Sequence, residues 1–285
     1  MKIARIRLAG EPRLAVIVGD TAHPIDATMS AAVGHDLAQA AGDSQVLAAL
    51  RRAAGASRPG LDLTEAPLLS PLVRPGKIVA VGRNYPEHAA QEGAPVPSEP
   101  LVFAKFSSAI VGPGEAITWD PRLTSAVDFE AELAVVIGRT ARRVSRASAI
   151  HYSLGYTCLN DVSARDIQFG DGQWVRGKSL DTFCPLGPWV VTADEVPDPQ
   201  RLAISCTVSG ERLQDASTAD MYFGVAELVH RLSFSFTLEP GDIIATGTPE
   251  GVGYFRDPRR SLRDGDTVVV SIESVGTLSN PVVVR

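Results

Sequence analysis

The run Val127-Asp128-Phe129-Glu130-Ala131-Glu132-Leu133-Ala134-Val135-Val136-Ile137-Gly138 sets a carboxylate at every second position ahead of an unbroken apolar stretch. Side chains on a strand alternate between faces, so Asp128, Glu130 and Glu132 are expected on one face, with Phe129, Ala131 and Leu133 on the other. The same alternation also describes the solvated side of an edge strand. Against that, the strand runs on into Ala-Val-Val-Ile, which suits burial on both faces, so the carboxylates stand where the chain enters the core. Like charges gathered at a partly buried site are costly, and a hard divalent cation is the usual compensation. A further oxygen donor stands at Asp161 in Leu159-Asn160-Asp161-Val162-Ser163-Ala164-Arg165-Asp166-Ile167-Gln168, although Asn-Asp alone is ordinary turn chemistry. An all-oxygen donor set in a chain with few histidines suits Mg²⁺ or Mn²⁺ and disfavours Zn²⁺.

These two segments do not stand alone. Together with Gly82-Arg83-Asn84-Tyr85 and His88, Phe103-Ala104-Lys105-Phe106-Ser107-Ser108, Gly177-Lys178-Ser179-Leu180-Asp181 and Thr246-Gly247-Thr248-Pro249, their order and spacing resemble the fumarylacetoacetate hydrolase family over about residues 72–285. The resemblance implies an α+β, strand-rich fold, a mixed β-sandwich roll, and assembly as a homodimer. It also implies Mg²⁺ or Mn²⁺ held by Glu130, Glu132 and Asp161, with Asp128 behind them. The family's substrates are small 2-oxo or 2,4-dioxo acids that chelate the metal. Motif matching then gives Arg165, Gln168, Lys178 and Thr248 as donors to the substrate, with Arg83 and Tyr85 also in the substrate-binding set. These types suit the chemistry: an arginine grips a carboxylate through a bidentate fork, and a lysine stabilises a developing enolate as a point charge.

Tyr85-Pro86-Glu87-His88-Ala89-Ala90-Gln91-Glu92-Gly93 reads as a short helical turn able to fold over a site as a lid, with Pro near its start and Gly at its end. His88 falls on the family's catalytic position. Related hydrolases place a Glu three residues later to orient the imidazole, where this chain has Gln91; Glu92 follows, and both share the helical face of His88. The expected catalytic set is therefore His88, Glu92 and Lys178.

The resemblance points first to hydrolytic C–C cleavage of an acylpyruvate or fumarylacetoacetate-like acid, with pyruvate or a related oxo acid leaving as its enolate. Decarboxylation of oxaloacetate and tautomerisation of an unsaturated 2-hydroxy dioic acid are the competitors at the same site. A non-catalytic oxo-acid binder needs neither Lys178 nor His88. Gly247, Gly251 and Gly253 lack the GxxxxGK[ST] pattern of a phosphate loop and are assigned to turns around the ligand carboxylate.

Elements must hold these groups. Residues 1–70 read as a small N-terminal β-rich domain with a helical connector, and residues 71–285 as the catalytic domain. Strands are expected at Lys2–Leu8, Leu14–Val18, Lys77–Val81, Leu101–Phe106, Leu133–Ile137, Trp189–Thr192, Leu202–Val208, Ile243–Thr246 and Thr267–Ile272. Helical spacing runs over Gln45–Ala54, Arg146–Tyr152 and Met221–Phe236; the last places Val225, Leu228, Val229 and Leu232 on one face.

Composition narrows the function classes. A net charge of −6 over 285 residues argues against a phosphate backbone as partner, and no stretch approaches a membrane span. Cys158, Cys184 and Cys206 are odd in number and widely spaced, with no CxxC pair, so they read as small core residues. The start, Met-Lys-Ile-Ala-Arg, shows no apolar export signal, and a cytoplasmic location is the expectation.

Overall fold

The computed structural model describes residues 1–55 and 59–285. In chain order it begins with β1 (Lys2–Leu8), β2 (Glu11–Val18), β3 (Thr21–Pro24), α1 (Ala27–Ala32), α2 (Leu37–Ala40), α3 (Ser44–Ala54), β4 (Leu61–Asp62) and β5 (Leu68–Leu69). Then follow β6 (Ile78–Gly82), α4 (Pro86–Gln91), β7 (Leu101–Lys105), β8 (Ile110–Val111), β9 (Ile117–Trp119), β10 (Val127–Asp128), β11 (Ala131–Ile137), α5 (Arg146–Ala149) and β12 (Ser153–Asn160). The chain continues through β13 (Ser163–Ala164), α6 (Arg165–Asp171), α7 (Val175–Lys178), β14 (Cys184–Thr192), β15 (Ala203–Val208), β16 (Glu211–Ser217), α8 (Val225–Ser235), β17 (Ile243–Ala245), β18 (Thr267–Ile272) and β19 (Gly276–Val284).

Among the described residues the strands make a twelve-stranded sheet with the path β4-β3-β2-β1-β14-β12-β11-β17-β6-β7, a five-stranded sheet β16-β15-β18-β19-β9, and a short β10–β13 ladder. The five-stranded sheet lies on the large one where β14 meets β19, β11 meets β15 and β12 meets β18. This is the strand-rich α+β architecture that the sequence implied. The N-terminal strands join the large sheet directly, through antiparallel pairing of β1 with β14 that sets Ile3 opposite Val190. Among the described residues no helix is long and apolar enough to cross a membrane.

Period-two alternation organises the centre. Along β11, Leu133, Val135 and Ile137 pack between the two sheets, while Ala134 and Val136 pack into a second cluster against α2 and α3. Both faces of this strand are therefore covered, which is why it reads as a continuous apolar run. Helix α3 covers that second face with Val46, Ala49, Leu50 and Ala53; Asp43 caps its start by accepting from Gln45 N and Val46 N. Residues 56–58 of the expected connector lie outside the described residues. Helix α8 buries Val225, Leu228, Val229 and Leu232 as expected.

Several boundaries differ for local reasons. Helix α8 begins at Val225, because Tyr222 N and Phe223 N donate to the backbone and side-chain oxygens of Asn84. The segment 146–152 splits into α5 and a 3₁₀ turn over Ile150–Tyr152. Strand β14 starts at Cys184, well before Trp189, although it carries Pro185 and Pro188. All three cysteines are buried, and burial pushes the thiols of Cys158 and Cys184 up to about 12, in keeping with an inert packing role.

Candidate active site

Pairing of β11 with β12 sets Ala131 opposite Asn160, so Glu130 and Asp161 meet just beyond the end of the ladder. Asp161 N donates to Glu130 O at 2.9 Å, and Glu130 N donates to Asn160 Oδ1 at 3.0 Å, fixing the backbone on both sides of Glu130. Glu132 lies two residues further along the same alternation. The ligand oxygens of Glu130, Glu132 and Asp161 lie within 4.8 Å of one another, and all three residues are buried.

The expected single acidic strand is interrupted. The ladder stops at Asp128 in β10 and resumes at Ala131 in β11, which turns Asp128 away from the other carboxylates. Asp128 instead accepts from Gly253 N at 2.7 Å, Tyr254 N at 3.0 Å and Arg165 Nε at 2.9 Å. Its role is to hold the loop over residues 249–255 and the arginine. A β-carbon at Gly253 would stand 1.9 Å from Arg260 O and 2.9 Å from Asp128 Oδ1, so only glycine lets that amide reach the carboxylate.

Cations surround the acidic cluster unevenly. Lys178 Nζ lies 2.7 Å from Glu130 Oε2 and 2.8 Å from Asp161 Oδ2, and Lys105 Nζ lies 2.6 Å from Asp161 Oδ1. Lys105 also donates to the carbonyl of Lys178. Arg165 Nη2 makes an ion pair at 2.7 Å with Glu130 Oε1. Burial raises the Glu130 carboxyl, but Lys178 and then Arg165 outweigh it and hold the group at about 2. Glu132 receives Gly247 N at 2.9 Å; burial, Asp161 and Glu130 push its carboxyl well above the usual range. One carboxylate of the three is thus left undercompensated, in a cluster built only of oxygens. The donor set fits a hard divalent cation.

Helix α4 faces the cavity from the other side. In α4, His88 Nε2 lies 3.2 Å from Glu92 Oε1, and Glu92 Oε2 accepts from Arg83 Nε at 2.7 Å. Gln91, one position earlier, turns outward and accepts from Gly251 N at 3.1 Å. Glu92 is therefore the carboxylate that meets the imidazole, at i+4. Burial alone would raise the Glu92 carboxyl, but His88 and then Arg83 bring it down to about 2. His88 Nδ1 is buried and has no partner among the described residues.

All the sequence-predicted site residues line the cavity between cluster and lid except Tyr85, Asp161 and Arg165. Asp161 belongs to the acidic cluster beneath it. Tyr85 is fully buried in the core at the start of α4, its hydroxyl without a partner, and burial followed by the charge of Glu132 raises its pKa. Arg165 is fully buried as well, committed to Asp128, Glu130 and Gln168 Oε1. Thr248 lines the cavity, but its hydroxyl donates to Ala131 O and accepts from Gln214 Nε2. The amides of Gly247, Gly251 and Gly253 serve Glu132, Gln91 and Asp128, so they are engaged with protein groups and not free for a ligand carboxylate.

Sequence reasoning missed Lys105, Gln214 and Trp174 as site residues. Lys105 stood inside a recognised motif, where its charge at the end of an apolar strand was the available signal. Gln214 lies on the other sheet and reaches across to Ala131 N, Thr248 and Pro249 O, a long-range contact with no local signature.

A buried all-oxygen acid cluster on central strands of the large sheet, sharing its cavity with a His–Glu pair, defines a class of enzyme. The chain belongs to the fumarylacetoacetate hydrolase family: residues 77–283 match the model described as fumarylacetoacetate (FAA) hydrolase C-terminal. Among curated relatives, the mitochondrial oxaloacetate tautomerase FAHD2B of Bos taurus is 47% identical over 239 residues, covering 83% of this chain and 76% of that protein. Among solved structures, the 2-hydroxyhepta-2,4-diene-1,7-dioate isomerase of Mycobacterium marinum is 38% identical with a TM-score of 0.80, covering 100% of this chain and 99% of the other. Maleylpyruvate hydrolase from Sphingobium sp. SYK-6, solved with manganese(II) and pyruvate, is 33% identical with a TM-score of 0.81, at the same coverages.

Proposed function

We propose that this chain is a divalent-metal-dependent enzyme that moves a proton between carbon and oxygen of a small 2-oxo acid, with keto–enol tautomerisation of oxaloacetate as its reaction. The observation that carries the reading is the buried His88–Glu92 pair lining the same cavity as Lys178, Glu130 and Glu132. Similarity to oxaloacetate tautomerases at 47% identity supports the choice among reactions, and the manganese and pyruvate of the Sphingobium relative support the metal and the oxo-acid end.

Glu130, Glu132 and Asp161 would hold Mg²⁺ or Mn²⁺, which supplies positive charge to anchor the substrate carboxylate and polarise its 2-oxo group. The chain's own groups move the proton. His88 Nδ1, buried and unpartnered, takes the C3 proton and returns it at the 2-oxygen, so a C–H bond breaks and an O–H bond forms. Glu92 on Nε2 holds the ring in place and stabilises its protonated form. Lys178 carries fixed positive charge beside the oxygen on which negative charge develops. Gln168, whose Oε1 is occupied by Arg165, offers its amide hydrogens to the substrate carboxylate.

Hydrolytic cleavage of a 2,4-dioxo acid is the second reading, favoured by the same His–Glu pair, which suits water activation as well as enolisation. Following enol absorbance and pyruvate release separately, on oxaloacetate and on 2,4-dioxopentanoate, tells them apart. Loss of enol without pyruvate identifies the tautomerase; pyruvate from the dioxo acid identifies the hydrolase, and pyruvate from oxaloacetate a decarboxylase. His88→Ala is expected to lower the true activity by roughly 10²–10⁴-fold with Mn²⁺ affinity retained. A harmless His88→Ala on every substrate would remove the acid–base role.

We also infer a homodimer seated on β7, an edge strand with Val102 exposed along it and Phe106 exposed just past its end. A monomer by light scattering would overturn that inference.

A further inference from the structure

We propose that Arg83 makes this site selective for 2-oxo dicarboxylates, by holding the distal carboxylate of the substrate on the free edge of its guanidinium. The inference rests on the 2-oxo acid reading above and adds the residue that selects for the second carboxylate.

The cationic side chains that line the cavity are Arg83, Lys178 and, when protonated, His88. Lys178 is engaged by Glu130 and Asp161 and is almost fully buried. His88 is held by Glu92. Arg165 lies behind the wall, fully buried and ion-paired with Asp128 and Glu130. A second carboxylate, outside the metal end of the substrate, therefore has one cation left to meet.

Arg83 is shaped for that task. Its Nε is spent on Glu92 at 2.7 Å, while Nη1 and Nη2 have no partner among the described residues. Those two nitrogens form the outer fork, the geometry that grips a carboxylate bidentately. The side chain is 29% exposed and lines the cavity. Its guanidinium carbon stands 5.6 Å from the centroid of the Trp174 ring, within reach of a cation–π contact.

The backbone shows that this placement is enforced. Arg83 has φ of +57°, a left-handed conformation unfavourable for a side chain with a β-carbon. On one side is Gly82, where a β-carbon would come within 2.4 Å of Trp174. On the other is Asn84, pinned by Phe223 O, Thr246 O and Phe223 N. The chain thus keeps an arginine where the backbone alone favours glycine.

The test measures binding to Mn²⁺-loaded protein by calorimetry, with two probes. Oxalate fills only the metal end; 3,3-difluorooxaloacetate adds the distal carboxylate and has no C3 proton to lose. Arg83→Gly suits the left-handed backbone and is expected to fold with an unchanged or higher thermal midpoint. Its affinity for difluorooxaloacetate should fall by about 10–100-fold, and that for oxalate by less than about threefold. Arg83→Lys should recover part of the loss, since it keeps the charge without the fork. Glu92→Gln, which leaves the outer fork in place, should keep the preference for difluorooxaloacetate. Equal losses for both probes in Arg83→Gly would overturn the proposal and leave Arg83 as a support for Glu92 alone. Failure of oxalate to bind the loaded wild type would overturn the 2-oxo acid reading and this inference with it.

Discussion

The acid cluster hangs from β11 and β12 in the middle of the large sheet, whereas the lid is one short helix held by side-chain contacts to Arg83 and Gly251. In the cluster, strand register sets the positions and burial sets the charges, so each group depends on the others. In the lid, a few side-chain contacts carry the helix: Glu92 meets the buried His88 and the half-buried Arg83, and Gln91 meets Gly251. Disturbing the first should cost metal and fold together; disturbing the second should cost turnover while the fold survives.

The widest gap between the two regions should appear on metal removal. Chelator-treated enzyme should lose activity and regain it with Mg²⁺ or Mn²⁺, while Glu130→Gln and Glu132→Gln should abolish Mn²⁺ binding by calorimetry. Full activity of metal-free protein would erase the distinction. Next is Lys105→Met. Lys105 and Asp161 are both fully buried, and leaving that carboxylate short of a partner should cost about 3–5 kcal/mol in denaturant unfolding. Gln91→Ala, on the lid, should cost under about 1 kcal/mol. Equal losses would show that the lid is as integral as the cluster.

Comparable in size is the effect of pH on the lid. The Glu92 carboxyl is depressed from 4.5 to about 2: burial opposes this, and His88 and then Arg83 produce it. A depressed carboxylate stabilises the fold above its unfolded value and loses that contribution as pH falls toward its folded value. The stability difference between wild type and Glu92→Gln, about 1 kcal/mol after allowance for solvent, should be level above about pH 5 and shrink between 4.5 and 2. A difference that widened in acid would contradict the ion pair.

The comparison also explains what the sequence disclosed. Glu130, Glu132 and Asp161 were legible because strand alternation and the family motifs act on residues close in the chain. The lid helix was legible from Pro86 and Gly93, and the exchange of Gln91 for Glu92 resolved as i+4 pairing suggested. What stayed hidden was orientation. Nothing local says that Arg165 turns inward to Asp128, that Tyr85 points into the core, or that Lys105 reaches Asp161 across 56 residues. Strands β12, β16 and β19 escaped for a related reason, since mixed polar residues such as Gln214 and Asn280 are buried there by partners far away in the chain.

The left-handed backbone at Arg83 sets two kinds of selection against each other. Screened for heat tolerance alone, a library of variants should drift at this position toward glycine or asparagine, which accept that conformation at lower cost. The drift would register as no defect in an assay of folding, expression or metal content. It would surface only as a loss of discrimination between acids.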